Sequence, residues 1–462
     1  MRVRLAVLVL SHALLTLPAV GLTFQVNDSG DAGDANPGDD VCETATPGHC
    51  TLRAAIDEAN FKNSLATITI PAMTITLGST LVVTRTMTIQ GAGAAASIIS
   101  GNLQTRVIVH EPASYYALTI RDVTIRDGTT AGSPGGGIEV QQKGQLILER
   151  CRLVHNYAAS GGGVFCTIDT NVFVTDVEFT DNHATLDSGG ALYAYGGCRV
   201  TMTSNSIHHN DALESGGGVS AQDNGAVSIT ESTIVSNTAD QGGGGIYLAS
   251  GADVQLYSST VAANHAKNAG GGGVKAESGT TVSIQNSILA NNYIGAFITS
   301  DNDFNGSVTA NQQNIMRHHT NGTIGGTGTV STEDPLLGPL QDNGGRTPTT
   351  ALKDGSPAID AVAGCNGYGN VGLTTDQRGV KRVLGSGCDL GPYERAPCGD
   401  VDGDGSVNLA DVFFLINALF ASGPPPPGLA NVNGDSAVDV GDVFFLVNRL
   451  FAGGSAPDCA GT

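Results

Sequence analysis

Two stretches near the C-terminus carry the densest oxygen chemistry in the chain. Residues 399–420 read GDVDGDGSVNLADVFFLINALF and residues 430–451 read ANVNGDSAVDVGDVFFLVNRLF, one pattern repeated with a shift of 31. The first places Asp400, Asp402, Asp404, the carbonyl of Ser406, Asn408 and Asp411 at loop positions 1, 3, 5, 7, 9 and 12, with Gly405 at position 6 for a sharp turn. An oxygen shell on this spacing suits a hard cation such as Ca²⁺. The second offers Asn431, Asn433, Asp435, the carbonyl of Ala437, Asp439 and Asp442. There Asn431 replaces an acid and Ser436 replaces the glycine, so weaker Ca²⁺ binding is expected from the second loop than from the first. An apolar segment follows each loop. In the first, Val412, Leu415, Ile416 and Leu419 have the spacing of one helix face.

Two further sets of side chains recur along the middle of the chain. Asp187, Glu214, Asp240 and Lys267 come roughly once per repeat in variable loops. Such acids can bind a cation or flank a glycosidic bond, which makes Asp187, Glu214 and Asp240 the catalytic candidates; solvated turn residues on an acidic protein are the competing explanation. His155, Asp181 and His209 form a second column, which Ser236 and Ala263 continue without metal-binding groups. Nucleophile-elbow, HExxH and phosphate-loop motifs do not occur.

The elements that position these groups repeat. Small-residue triplets lead into Ile138, Val164, Leu192, Val219, Ile246 and Val274, and each is followed 18 residues later by Asn156, Asn182, Asn210, Asn237, Asn264 and Asn292. A period of 26 to 28 residues with short alternating apolar runs and no helical periodicity indicates coils of β-strand stacked by parallel pairing. Equivalent residues then form columns about 4.8 Å apart, with the aliphatic markers inside and the asparagines in a side-chain amide ladder at a tight bend, where Asn itself is expected to take the left-handed conformation. The glycine runs, Gly242 to Gly245 among them, are corners of the stack where neighbouring backbones crowd. A solenoid needs capped ends. Cys50 to Asn60, CTLRAAIDEAN, is expected to be helical, with Leu52, Ala55, Ile56 and Ala59 on its apolar face and Arg53 and Glu58 as packing charges.

These motifs resemble known families. The repeats, with Phe179-Thr-Asp-Asn182 matching a Phe-x-x-Asn signature after a Gly-Gly-Ala-aliphatic one, resemble the right-handed, single-stranded parallel β-helix family, a pectin-lyase-like all-β solenoid. CTLRAAIDEAN resembles the CSLREAI-type N-terminal module. Asp334–Asp360 and Asp376–Glu394 resemble the choice-of-anchor Q module, which implies closure of the β-helix and surface display; Asp376, Arg378 and Glu394 are there a structural network or a ligand site. The duplicated loop-helix, with Asp at position 12, resembles a type I dockerin, an EF-hand-like module that implies a cohesin or other surface protein as partner. Positions 10 and 11, Leu409-Ala410 and Val440-Gly441, lack the hydroxyls usual in that family. The expected organisation is a leader at 1–21, a cap at 22–66, the β-helix at 67–330, the choice-of-anchor-like module at 331–395 and the dockerin-like module at 396–462.

Composition agrees with export. Two arginines and a short apolar run open the chain as a secretory leader does. No later segment is long and apolar enough for a membrane span. With 43 acidic against 22 basic residues, nucleic acid and anionic membranes are disfavoured partners and divalent cations favoured ones. Nine cysteines in such a chain point to disulfides. Cys42/Cys50, Cys365/Cys388 and Cys398/Cys459 each bracket a module; Cys166 and Cys198 can face each other across coils and leave Cys151 over. The functional expectation is a secreted or surface-associated bacterial β-helix that binds glycans or protein partners, with Ca²⁺-dependent attachment. The alternative is a polysaccharide lyase or glycoside hydrolase tethered the same way.

Overall fold

The computed structural model describes residues 21–62, 65–268, 270–295, 300–367, 371–424, 426–428, 430–435, 437–455 and 457. Residues 1–20 of the expected leader, Ser436 and Cys459 fall outside these residues.

A complete coil visits four sheets in turn. Gly144–Glu149, Arg152–Val154, Tyr157–Ala158 and Val164–Cys166 belong to sheets I, II, III and IV of one coil. Among the described residues, sheet I has twelve strands, II eleven, III seven and IV ten, and all neighbours in these sheets pair in parallel except Tyr293–Ile294 with Ser300–Asp301. The marker positions align in register, Ile138 to Val164 to Leu192 to Val219 to Ile246 to Val274. All are fully buried in one continuous aliphatic core. Alternation along each strand puts every second side chain inside, which is why runs of three to five residues suffice.

The asparagine ladder occupies the bend between sheets II and III. Each Asn Nδ2 donates to the Oδ1 of the Asn one coil on, at 2.9 Å from Asn156 through Asn292. Asn292 ends the run by donating to Asp303 Oδ1 at 2.8 Å. The left-handed residue is not the Asn but the one before it: His155, Asp181, His209, Ser236 and Ala263 all have φ near +55°. That corrects the sequence expectation and explains the His/Asp column, whose members share a backbone conformation rather than a ligand. A second ladder runs along the I–II bend through Asn205, Ser232, Ser259, Ser287 and Asn314. Nearer the N-terminus Cys151 occupies that column as a buried free thiol. Cys166 and Cys198 are bonded across adjacent coils.

At the N-terminal end, helix α1 (Leu52–Phe61) begins at Thr51, whose hydroxyl accepts from Ala54 N at 3.0 Å. It seats Leu52, Ala55, Ile56 and Ala59 on the open end of the core. Cys42 and Cys50 are bonded just before it. Glu58 is buried and accepts from the backbone of Asp40, while Arg53 forks onto Asp31 and reaches the carbonyls of Ser79 and Thr80.

The sequence places residues 334–395 at the other end of the solenoid, but those among them that are described do not join its open core. They lie along its flank. Sheet II turns apolar outward there, at Ile288, Ala290 and Ile315, and these side chains share a cluster with Leu352, Ala358, Val362, Leu390 and Tyr393. An outward aliphatic patch of this kind has to be covered. Cys365 and Cys388, bonded to each other, sit in the same cluster. The polar contacts are equally lateral. Thr347 donates to Ser204 O, Thr233 to Gln377 and Gly391 N to Asn286 O.

Helices α2 (Leu409–Phe420) and α3 (Val440–Ala452) pack on each other through Val412, Leu415, Val443 and Leu446. Ile416, expected on the buried face, is instead 37% exposed. Among the described residues no helix is long and apolar enough to cross a membrane.

Candidate functional site

The first oxygen-rich loop is organised around Asp411. Its carboxylate accepts from the backbone of Val401 at 2.6 Å, Asp402 at 3.1 Å and Asn408 at 2.7 Å. Asn408 caps α2 and forms a capping box with Asp411, so helix start and loop share residues. Ligand atoms of Asp400, Asp402 and Asp411 lie within 4.8 Å of one another. Burial, with Asp411 and Asp402 alongside, pushes the Asp400 carboxyl up to about 6. Three converging carboxylates with that mutual repulsion fit a divalent cation, which removes the repulsion on binding. Asp404 turns its carboxylate to Ser406 N, and the carbonyl of Ser406 accepts from Asn408 Nδ2 at 3.1 Å.

The second loop repeats the scaffold with fewer charges. Asp442 accepts from Val432, Asn433 and Asp439, and Asp439 caps α3. Asn431 Oδ1 accepts from Gly434 N, Asn433 Nδ2 donates to Asp435, and Ala437 N donates to Asp435. No acidic triad like that of the first loop converges here among the described residues.

Both helices also carry an outward apolar stripe. Leu409, Phe413, Ile416 and Phe420 on α2 recur as Val440, Phe444, Val447 and Phe451 on α3, all exposed. Phe413 and Phe444 are 63% and 67% exposed, Phe420 and Phe451 66% and 68%, so the two stripes are equivalent in exposure as well as in sequence.

On the solenoid, Asp187, Glu214 and Asp240 stand on successive bends between sheets III and IV. Glu214 N donates to Asp187 O at 3.0 Å and Gln241 N to Glu214 O at 2.7 Å. Asp240 is paired with Lys267 at 2.6 Å on the surface. Beside this column lies a feature the sequence reading missed. The middle residue of each sheet IV strand points outward, and in register these are Glu139, Phe165, Tyr193, Ser220, Tyr247 and Lys275. Phe165 meets Tyr193 edge-on at 5.6 Å, Tyr195 packs on both, and Lys275 lies 5.7 Å over Tyr247 while pairing with Glu277 at 3.0 Å. Tyr193 is buried as the floor, and Phe165, Tyr195 and Tyr247 remain partly open. Burial first, then Glu277, Asp187 and Glu214, raise the Tyr247 phenol above its ordinary value. The acids and the rings thus share one face. The signal was available in the sequence as the residue after each aliphatic marker.

The His/Asp column sits on the opposite side of the sheet III strands. His155 bonds Asp127 at 2.8 Å and Tyr157 at 2.6 Å, Asp181 accepts from the Thr180 hydroxyl at 3.1 Å, and His209 bonds His208 at 2.8 Å. Its members are held by neighbours and do not converge on a metal-sized centre among the described residues.

Asp376, Arg378 and Glu394 form part of a buried ionic network. Arg378 forks onto Asp376 at 2.7 and 3.0 Å and donates to the Glu394 carbonyl at the other end of the segment. The Glu394 carboxylate takes Arg382, which also forks onto Glu231 of the solenoid at 2.7 and 3.0 Å. Burial raises Glu231, against the pull of Arg382. Burial and neighbouring Glu394 push Asp389 up to about 7. With every guanidinium committed, the network staples residues 334–395 to the solenoid. Cys398 is disulfide-bonded.

Residues 106–288 and 187–333 match the family model of the right-handed β-helix region, and residues 398–451 match that of the dockerin type I domain. No curated protein matches the chain. Among solved structures, the crystal structure of pectate lyase Pel9A aligns over 82% of this chain and 98% of that one, at 13% identity and a TM-score of 0.39.

Proposed function

We propose that this chain, a right-handed parallel β-helix joined to a C-terminal type I dockerin domain, is an extracellular glycan-binding protein held on a larger assembly by Ca²⁺-dependent docking. The observation that carries the glycan assignment is the sheet IV face. Rings at coil spacing beside carboxylates offer what sugars use, apolar CH faces against aromatic surface and hydroxyls against charged acceptors. A rigid ladder holds these groups at little entropic cost on binding.

Attachment falls to the C-terminal domain. Asp400, Asp402, Asp404, Ser406, Asn408 and Asp411 would hold the stronger Ca²⁺, and Asn431, Asn433, Asp435, Ala437, Asp439 and Asp442 the weaker. Bound Ca²⁺ would neutralise the loop acids and fix the starts of α2 and α3. The paired stripes through Phe413 and Phe444 favour a cohesin-like or other surface partner with an apolar contact area, in keeping with Leu409-Ala410 and Val440-Gly441 in place of hydroxyls. Residues 1–21 act as the export leader, and 331–395 as a choice-of-anchor-like module, in this scheme.

Affinity electrophoresis of the full chain in gels containing xylan, glucan, alginate or pectin tests the glycan assignment; retardation reduced in Tyr195→Ala/Tyr247→Ala is expected, and unretarded migration in every gel would sink it. A polysaccharide lyase or glycoside hydrolase is the second possibility, favoured by the placement of Asp187 and Glu214 beside Tyr247. Product release abolished by Asp187→Ala or Glu214→Ala would select it.

A further inference from the structure

Sheet I carries a depression on its outer face, away from both sites above. In register across three coils stand Arg199, Ala226 and Asp253, and beside them Thr201, Ser228 and Gln255. The middle coil has the two smallest side chains, so the sheet surface dips there, leaving a cavity of about 160 Å³ lined by these residues. Arg199 and Asp253 form its walls two coil spacings apart, about 9.5 Å. That is room for one sugar ring.

The depression is organised. Tyr257 Oη donates to Gln255 Oε1 at 3.0 Å, and Gln255 Nε2 donates to Asp253 Oδ2 at 2.9 Å, which fixes the carboxylate. Asp253 Oδ1 and Ser228 Oγ are shielded from water and have no hydrogen-bond partner. Shielded polar atoms are normally paired, so two orphans in one small cavity call for a hydroxyl from elsewhere. Arg199 has no ion pair or side-chain hydrogen bond among the described residues. One coil beyond Thr201, in the same column, Phe173 is 40% exposed.

We propose that this depression is a second glycan subsite, taking one uncharged pyranose unit between Arg199 and Asp253 while a further unit of the polymer stacks on Phe173, two coils from Ser228. The opposed charges of the two walls cancel, so neither a uronate nor an amino sugar gains over a neutral ring, and hydroxyls satisfy Ser228 Oγ and Asp253 Oδ1. Because the trough is a shallow dip on an open sheet face, it suits an internal unit of a chain rather than an enclosed small molecule. The ligand class rests on the glycan-binding reading above; the site does not share its residues.

Calorimetric titration of the full-length Ca²⁺-loaded protein with cellohexaose, xylohexaose, mannohexaose and hexagalacturonate tests this. A neutral hexasaccharide should bind, and Ala226→Leu, which fills the trough from an outward position, and Phe173→Ala should each weaken it at least tenfold with unchanged melting temperature. Binding that responds only to Tyr195→Ala/Tyr247→Ala would overturn the subsite and leave the proposed function standing. Preference for hexagalacturonate would overturn the ligand class. Absence of binding by any hexasaccharide would overturn both.

Discussion

Replacing Asn210 by alanine removes one rung of the asparagine ladder. Its Nδ2 donates to Asn237 Oδ1 at 2.9 Å, Phe179 O at 3.0 Å and His208 O at 2.9 Å, and its Oδ1 accepts from Asn182 N at 3.0 Å and Asn182 Nδ2 at 2.9 Å. The side chain is fully buried, so water cannot replace these bonds. Asn182 Nδ2 keeps the carbonyls of Leu153 and Thr180, and Asn237 Oδ1 keeps the Asn210 backbone N–H. Asn182 N is stranded, and the Phe179 and His208 carbonyls each lose a donor. At about 1–3 kcal/mol for the stranded N–H and about 0.5–1 kcal/mol for each bond lost at the two carbonyls, the loss is about 2–5 kcal/mol. For a body of this size that is about 4–10 °C in melting temperature. The neighbouring His209→Ala changes a surface side chain at the left-handed position (φ 54°) and costs no more than about 1 kcal/mol. Urea and thermal unfolding in Ca²⁺-containing buffer, followed by circular dichroism, compare the two. A loss below about 1 kcal/mol for Asn210→Ala, or one equal to that of His209→Ala, would refute the ladder as a major contributor to stability.

Three further outcomes are expected. Arg382→Met strands the buried Glu231 and Glu394 carboxylates and should cost about 3–5 kcal/mol, with Glu231→Gln added in the same chain restoring part of it; equal losses in the single and double variants would argue against the staple. Asp389 holds its proton up to about 7 in the folded chain against 3.8 in the unfolded one, so the folded state binds the extra proton between those values and stability falls as pH rises through them. Stability should therefore be higher at pH 5 than at pH 8, by an amount on the order of 1–2 kcal/mol that Asp389→Asn reduces, the raised Glu231 carboxyl supplying the remainder; a flat wild-type profile would contradict the assignment. With Asp400 pushed up to about 6, Ca²⁺ must displace a proton below that pH, so affinity measured by calorimetry should drop nearly tenfold per unit below pH 6 and level off above it.

Repetition is what made the solenoid legible. A 26 to 28 residue period survives in any one coil as an aliphatic marker and an Asn, so the core column and the ladder follow from spacing alone, whereas Cys166 and Cys198, 32 residues apart, fall outside that period and their bond shows only in the structure. Orientation was harder. Ser287-Ile-Leu-Ala290 reads as a core run, yet only Leu289 faces the solenoid interior, while Ile288 and Ala290 face out to receive residues 334–395. Nothing local marks that difference, and so a module expected at the end lies on the flank. Glu231 and Arg382 are 151 residues apart and carry no shared motif. The aromatic face and the sheet I trough were both present as columns, Phe165-Tyr193-Ser220-Tyr247 and Arg199-Ala226-Asp253, but show only once the repeats are aligned for the outward positions rather than the inward ones. Ile416 has the period of the buried helix face and still points outward, because α2 carries two apolar stripes and periodicity does not say which one meets α3.

The central claim is that the solenoid binds a polysaccharide through its sheet IV face. Affinity electrophoresis of the full chain beside its Tyr195→Ala/Tyr247→Ala variant, on a panel of polysaccharides, tests it most directly. Retardation of the wild type by at least one polysaccharide, clearly reduced in the variant at unchanged melting temperature, is the predicted result; equal retardation of the two proteins, or of neither, would contradict it.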